Sequence, residues 1–398
     1  MEPAVAETCR TGNVRRLVVL AVLAGVVPAA VASGSAGRPA VLAIVNGHLG
    51  RFDAVTLQPL GRTAALGRNA FTVARSPSQT QLAVASNQPA GLRIVDARTL
   101  KTRARLALNA DEVEAASWVV PRTVLVELGG IVVDGVDPVR RRVVWQKVLP
   151  EGGAYDLRAM PDGFVFLSPP GYDTIGAATL TTIDATGAMR SVLLDRIPLG
   201  WHQVDPDGSS FEERVPGLAV DPTTNLAYVV GADRTVATVD LRTLTVDYHA
   251  GSRTLAKAVS GSWRSAEWLG NGVVAVAGDN GTGAGADEST PSGLELLDTS
   301  SWTWRQVDPA AVFLERGLNA LVAYDQSAGK TTDAAVYDLA GNMRFQVPGQ
   351  VLQVAVASRT AYALVLSGTA SRLDVLDAVT GRILRHFTKA PNLTLLGG

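Results

Sequence analysis

The stretch Leu92-Arg93-Ile94-Val95-Asp96-Ala97-Arg98-Thr99 contains the unit that is repeated along the rest of the chain. A β-type apolar run ends in an aspartate, two or three residues follow, often with a threonine or glycine, and a second β-type run begins. This is the pattern of a β-hairpin whose aspartate accepts N–H bonds from the turn. The pattern occurs at Asp53, Asp96, Asp137, Asp184, Asp240, Asp298, Asp338 and Asp377.

The spacing of these aspartates indicates a repeat architecture. The successive intervals are 43, 41, 47, 56, 58, 40 and 39 residues. A single copy would be only a common turn, but four-stranded propeller blades repeat at about 40–50 residues. Between the hairpins lies a second recurring unit, a β-type run, a polar turn and another β-type run. Clear examples are Phe71–Ser86, Ala154–Ser168, Val215–Val230 and Val351–Leu366.

The two ends of the repeat array complement each other. The first hairpin, from about residue 41 to residue 66, lacks a preceding strand of the second kind, and Asn392–Gly398 resembles a lone strand. Pairing of these ends would remove free strand edges. The sequence therefore predicts an all-β propeller of four-stranded blades, closed by its N- and C-terminal strands. Eight blades are the simplest count, and seven result if the weaker hairpin at Asp137 or Asp338 is misassigned.

The N-terminus has the pattern of an export signal. A basic segment with Arg10, Arg15 and Arg16 precedes an apolar run over residues 17–32, which ends in an A-x-A site. This run is shorter than the roughly 20 residues of a membrane span. We predict a signal peptide at residues 1–32, a linker at residues 33–40 and one propeller domain at residues 41–398. An uncleaved membrane anchor is the alternative.

Composition limits the classes of function. Hydrophobic residues make up 47% of the 398 residues and charged residues 18%, which excludes a disordered chain. Lys and Arg total 36 against 37 Asp and Glu, which argues against a nucleic-acid partner. The only cysteine, Cys9, belongs to the predicted signal, so the exported chain would contain no disulfide.

Two families resemble these repeats. The segments Phe71–Leu100 and Val215–Leu244 resemble YVTN-type propeller repeats, and Val136–Leu149 and Leu373–Phe387 resemble PQQ-like, or quinoprotein, repeats of secreted bacterial proteins. The second resemblance rests on Leu376-Asp377-Ala378-Val379-Thr380-Gly381 and on Trp145. It implies a propeller fold. Quinoprotein dehydrogenases use a cysteine pair near the cofactor, which the chain after residue 32 lacks. We predict no cofactor, with Ca²⁺ and PQQ as the alternatives.

The two long intervals contain insertions, and inserted loops are where propellers most readily gain binding residues. The first, Leu199–Arg214, lies between repeats four and five, and the second, Gly278–Pro291, lies inside repeat six. Propeller topology predicts that both project from the same face. The candidate ligand- or partner-binding residues are Trp201, His202, Asp205, Asp207, Glu212, Glu213, Arg214, Asp279, Asn280, Asp287 and Glu288. The alternative is that both segments are solvated surface loops.

No local motif indicates catalysis or a metal. The four histidines form neither H-x-H nor H-E-x-x-H, and no G-x-S-x-G elbow or phosphate loop is present. The tryptophans and arginine of the sixth repeat are expected to pack between blades: Trp263, Arg264, Trp268, Trp302 and Trp304.

The sequence thus predicts an exported, non-catalytic propeller that binds an unidentified protein or small molecule through loops on one face. One alternative is a lactonase-like or quinoprotein-related enzyme with its site at the channel mouth. The other is a sensor domain held at a membrane by an uncleaved N-terminal segment.

Overall fold

The computed structural model consists of strands and turns throughout its described residues. These residues are 39–67, 71–87, 90–109, 113, 115–119, 123–129, 131–150, 153–204, 211–252, 261–281, 289–325, 333–368 and 370–396. The predicted signal peptide, Cys9 and most of the predicted linker lie outside them. Within them, no helix is long and apolar enough to cross a membrane.

Thirty-four strands follow one another along the described residues. The first fifteen are β1 (Ala40–Val45), β2 (His48–Asp53), β3 (Ala64–Ala65), β4 (Phe71–Arg75), β5 (Gln81–Ser86), β6 (Gly91–Asp96), β7 (Thr102–Ala107), β8 (Ala115–Val119), β9 (Thr123–Leu128), β10 (Val132–Asp137), β11 (Arg142–Val148), β12 (Tyr155–Met160), β13 (Gly163–Ser168), β14 (Gly176–Asp184) and β15 (Met189–Gln203). The others are β16 (Phe211–Val215), β17 (Gly217–Asp221), β18 (Leu226–Val230), β19 (Val236–Asp240), β20 (Val246–His249), β21 (Gly261–Gly270), β22 (Val273–Gly281), β23 (Ser289–Pro291), β24 (Leu294–Asp298), β25 (Thr303–Asp308), β26 (Phe313–Arg316), β27 (Leu321–Tyr324), β28 (Ala334–Tyr337), β29 (Met343–Val347), β30 (Gln350–Val356), β31 (Thr360–Ser367), β32 (Ala370–Asp377), β33 (Ile383–Phe387) and β34 (Leu393–Leu395).

The strands form an all-β propeller of four-stranded blades, as predicted. Six four-stranded sheets are present among the described residues, with strand orders β3-β2-β1-β34, β4-β5-β6-β7, β8-β9-β10-β11, β17-β18-β19-β20, β26-β27-β28-β29 and β30-β31-β32-β33. The predicted pairing of the chain ends is present, because Thr394 of β34 lies opposite Ile44 of β1 in antiparallel register. No sheet among the described residues closes on itself.

The prediction of eight, or seven, separate blades is wrong. Six blades are separate, and the remaining strands form one ten-stranded sheet of order β12-β13-β14-β15-β16-β21-β22-β24-β25, with β23 paired to β22. The reason is the length of β15, which continues for 15 residues and then pairs with β16. β16 also pairs in parallel with the start of β21. It therefore joins the strands β12–β15 to the strands β21, β22, β24 and β25, which the repeat pattern predicts to be two separate blades.

The aspartate turns have the predicted geometry. In all eight hairpins the carboxylate accepts the backbone N–H of the second residue after it, at 2.7–3.2 Å. The chain then passes through a left-handed residue, such as Leu100 at φ 58° or Gly187 at φ 81°. Glycine has no steric cost there, which explains the glycine that ends several copies of the motif. Each turn thereby fixes the register of the hairpin around it.

The hydrophobic core lies between neighbouring blades. Leu92 and Ile94 of β6 pack with Val124 and Val126 of β9 in one cluster of buried side chains. Another cluster joins Val41 and other residues of the first sheet to β31 and β32 of the last. Because blade faces pack on blade faces around the molecule, inner strands such as β9 and β13 are buried along nearly their whole length, whereas outer strands such as β11 are exposed.

The aromatic residues of the sixth repeat pack between blades, as predicted. Trp263 stacks on Phe313 with ring centroids 5.2 Å apart, and Trp268 stacks on Tyr228 at 5.5 Å. Trp302 stacks on His249, and the guanidinium of Arg234 lies over Trp304. Each pair joins the sheet of β21–β25 to one of its neighbours. Arg264 is buried in the same region and donates a hydrogen bond to the carbonyl of Ala232 at 3.0 Å.

We expect Asp184→Ala to lower the free energy of unfolding by about 1 kcal/mol, since a hydrogen-bonded turn acceptor is lost. The Asp184 carboxylate accepts from the Thr186 N–H at 2.8 Å and from the Ala188 N–H at 3.1 Å. Urea denaturation followed by circular dichroism measures the change. Asp162→Ala, at an exposed turn residue, is the matched control. Equal effects of the two substitutions would contradict this role of the carboxylate.

Candidate binding surface

The two predicted insertions meet in one continuous stretch of sheet. Residue Trp201 of β15 lies opposite Glu213 of β16, and Val215 lies beside Trp263 of β21. Trp263 in turn lies opposite Asp279 of β22. The strand order β15-β16-β21-β22 therefore brings residues from both insertions within a few strand spacings. Residues 205–210 and 282–288 lie outside the described residues, so projection of both insertions from one face of the propeller stays a prediction.

The side chains of this stretch divide between two faces of the sheet. Cross-strand partners share a face and successive residues alternate. Trp201, Glu213 and Asp279 consequently lie on one face, which we call the aromatic–acidic face and which also contains Trp263. His202, Glu212, Arg214 and Asn280 lie on the opposite face. The remaining predicted residues are outside the described residues: Asp205, Asp207, Asp287 and Glu288.

The aromatic–acidic face presents an aromatic pair at its edge. Tyr172, in the loop between β13 and β14, meets Trp201 edge to face with ring centroids 4.9 Å apart. Tyr172 is 67% exposed, whereas Trp201 is half-buried. Partly solvent-exposed Tyr and Trp rings are typical of interaction surfaces, because each combines a large apolar area with a polar O–H or N–H group.

Two carboxylates lie on the same face, Glu213 on β16 and Asp279 on β22, with β21 between their strands. Burial raises the pKa of Glu213, and the nearby charge of Asp279 raises it further. Burial and a like charge both favour the protonated form of a carboxyl group, whereas a bound cation favours the ionised form. The half-buried Trp263 is the cross-strand partner of Asp279 on this face.

The opposite face has polar side chains that hold each other. Arg214 donates to Glu212 at 2.6 Å, and the His202 Nδ1 lies 3.6 Å from the Asp173 carboxylate. Arg264 donates to the Asn280 side chain at 2.7 Å. Asn280 therefore anchors β21 to β22, a positioning role that the sequence did not suggest.

Sequence reasoning missed Tyr172 and Asp173. The backbone of Asp173 is left-handed at φ 51°, and its carboxylate accepts the Gln203 N–H at 2.7 Å. This bond ties the β13–β14 loop to the end of β15. The run Pro169-Pro170-Gly171 before them was the available signal, because it marks a tight loop.

A second polar cluster, also missed, lies on the first strand of several blades. Arg158 of β12 forms ion pairs with Asp156 and Glu267, both at 2.8 Å. It also donates to the carbonyls of Leu218 on β17 and Ala266 on β21. One guanidinium thus connects three strands that share no ladder. Burial raises the pKa of Asp156 to about 6, against the opposing effect of Arg158.

Glu315 extends this cluster, which we call the inner charged cluster. Its carboxylate accepts a hydrogen bond from the Tyr324 hydroxyl at 2.8 Å, and that hydroxyl accepts the Val354 N–H at 2.9 Å. Burial raises the pKa of Glu315 to about 7, and the charge of Glu267 contributes to this rise. Arg316 donates to the carbonyl of Trp268.

The charges of the inner charged cluster do not balance when all its groups are ionised. It contains the carboxylates of Asp156, Glu267 and Glu315 and the guanidiniums of Arg158 and Arg316. A proton on Glu315, whose pKa burial raises to about 7, removes the excess negative charge. Among the described residues, no three His, Cys, Asp or Glu side chains are arranged to hold a metal ion.

Comparison with known proteins shows the fold. No protein-family model and no curated protein sequence matches the chain. Dihydro-heme d1 dehydrogenase NirN, solved in complex with DHE, is 13% identical with a TM-score of 0.56, over 90% of this chain and 75% of that one. A eukaryotic initiation factor is 10% identical with a TM-score of 0.50, over 92% of each chain. BamB from Moraxella catarrhalis is 12% identical with a TM-score of 0.47, over 80% of this chain and 88% of that one.

We expect the free energy of unfolding to fall by roughly 2–3 kcal/mol between pH 5 and pH 8 because of Glu315. Its pKa is raised in the folded state to about 7 from 4.5, so its stabilisation is complete below pH 4.5 and is lost as the pH rises through 7. Urea denaturation at the two pH values measures this. Glu315→Gln should flatten the dependence, whereas the exposed Asp162→Asn should leave it intact. An unchanged slope in Glu315→Gln would refute the assignment.

Proposed function

We propose that the protein is an exported, non-catalytic β-propeller that binds a partner through the aromatic–acidic face. The observation that carries this proposal is the joining of both insertions by the β15-β16-β21-β22 pairing. A propeller repeat needs neither insertion to complete its blades. Here they add strands to an existing sheet, which gives their side chains fixed positions.

The chemistry of the face favours a cationic group beside an apolar one. Burial and the charge of Asp279 disfavour the ionised form of Glu213, and a cation bound beside Glu213 would favour that form. Trp201 and Tyr172 offer ring faces and edges beside them. A lysine or arginine side chain of a partner protein combines a charge with an aliphatic stem, and it interacts favourably with both kinds of group. A basic segment of a partner protein is therefore our proposed ligand.

The inner charged cluster supports a structural role more than a catalytic one. Asp156 accepts the Leu218 N–H at 2.7 Å besides its ion pair, and Glu315 is held by Tyr324. These bonds join β12 to β17 and β26 to β27. The solved proteins of similar fold include an enzyme, so the lactonase-like or quinoprotein-related alternative is tested together with binding.

Binding of tetralysine, followed by tryptophan fluorescence, tests the proposed ligand class. We expect saturable binding that weakens with salt, since the attraction is electrostatic. Trp201→Ala and Glu213→Gln should each weaken it at least fivefold, and Asp162→Asn should not. Tetraglutamate is the matched control peptide. The absence of binding, or equal binding by all variants, would overturn the proposal, and hydrolysis of lactone substrates would favour the enzyme.

Export is tested separately by N-terminal sequencing of the protein recovered outside the cytoplasm. Cleavage after Ala32 is expected, since the small side chains of Ala30 and Ala32 fit a signal peptidase site. The first residue should then be Ser33. An N-terminus that retains residues 17–32 would instead support the membrane-anchored alternative.

A further inference from the structure

The outer strand of the third blade, β11, is more exposed than the outer strands β7, β20, β29 and β33 of other blades. Six of its seven residues are exposed, and only Trp145 is half-buried. Val148 is 69% exposed, Val144 42% and Val143 39%, and Ile131 and Val139 lie exposed in the adjoining turns. Single exposed apolar residues are common on protein surfaces, but several of them on one strand and its adjoining turns indicate an interaction site.

The other edge of β11 offers main-chain hydrogen bonds. The strand is paired with β10 on one side, and no strand among the described residues pairs with its other side. The outer strands of the other separate blades from β4 onward have four to six residues. A longer edge strand with exposed valines can pair with an added strand, and the charges of Arg142 and Lys147 limit which strand that can be.

The anchoring of Trp145 keeps β11 extended. Its indole N–H donates to the Ala185 carbonyl of the next blade at 3.0 Å. Gly135 and Gly187 leave room for the ring, because a Cβ at either position would lie 2.8 Å or less from it. The strand is thus held by Trp145 and by Gln146, whose amide donates to the Asp134 carboxylate at 2.9 Å, so a partner strand would meet a preformed edge.

The charges beside β11 select the partner. Arg140, Arg141, Arg142 and Lys147 are all exposed. Among the described residues, the only carboxylate within ion-pair distance of these four is Asp137, 3.7 Å from Arg140. Antiparallel pairing with a second copy of β11 would bring Arg142 of one chain towards Lys147 of the other, and like charges across a strand pair are destabilising. An acidic strand has the complementary charge.

We propose that β11 binds an extended acidic segment of a partner protein by β-strand addition. The main-chain edge supplies hydrogen bonds, the valines supply apolar contacts to alternate side chains, and the basic residues select carboxylates. This surface lies on a different sheet from the aromatic–acidic face. A negative result for one proposal therefore leaves the other unaffected.

A labelled peptide tests the proposal on the full chain. The probe is an eight-residue peptide of alternating valine and glutamate, followed by fluorescence anisotropy. We expect saturable binding that is weakened at least tenfold by the double variant Arg142→Glu/Lys147→Glu. The alternating valine–lysine peptide should bind that variant better than the original protein. A valine–glutamate peptide with N-methylated alternate amides should not bind, since it cannot extend the sheet.

Four other results would contradict binding of an acidic strand to β11. Equal binding of both charge types, or binding of the N-methylated peptide, would overturn strand addition. Failure of the valine–glutamate peptide to bind would also overturn it. Concentration-dependent dimerisation in size-exclusion chromatography that Arg142→Glu/Lys147→Glu abolishes would show that a second copy covers the edge. Circular dichroism of the double variant confirms that it folds, which is expected because both side chains are exposed.

Discussion

One hydrogen-bond arrangement underlies the whole molecule: an aspartate carboxylate that accepts backbone N–H groups of the turn after it. Each of the eight copies ends one strand, reverses the chain and sets the register of the next strand. In six of these turns the bonds to the carboxylate keep its pKa below the usual value. The turns therefore favour the ionised form, whereas Glu315 favours the neutral form.

Packing between blades follows from those registers. Once each hairpin is fixed, both faces of a sheet meet neighbouring sheets, and apolar residues become favourable on both. Main-chain ladders hold each blade together, but few of them cross from one blade to the next. Side chains perform that task instead, through stacked aromatic pairs such as Trp268 and Tyr228 and through guanidiniums such as Arg158. A guanidinium between blades can bind two of them at once because it has five donors in a fixed plane.

The ten-stranded sheet, in which two runs of strands are not separate blades, also contains the candidate binding surface. There β15 continues beyond its blade, and β16 joins it to β21 through a parallel pair. A main-chain ladder between blades places the insertion residues more rigidly than loops would. It also sorts them onto two faces by strand alternation. Glu213 and Asp279 come to lie on one face, with β21 between their strands, while His202 and Glu212 lie on the other face. No local pattern in the sequence indicates this division.

The sequence alone determined the strand-and-turn repeat, the β-propeller class and the pairing of the chain ends, because turn chemistry and apolar runs act over short distances. It also identified Trp201, Glu213 and Asp279 as candidates, because insertions change the repeat spacing. Only the tertiary structure decided the number of separate blades, the two faces of the insertion sheet and the inner charged cluster. Those features depend on which distant strands meet. Arg158 and Glu267 are 109 residues apart, and only their blades bring them to 2.8 Å.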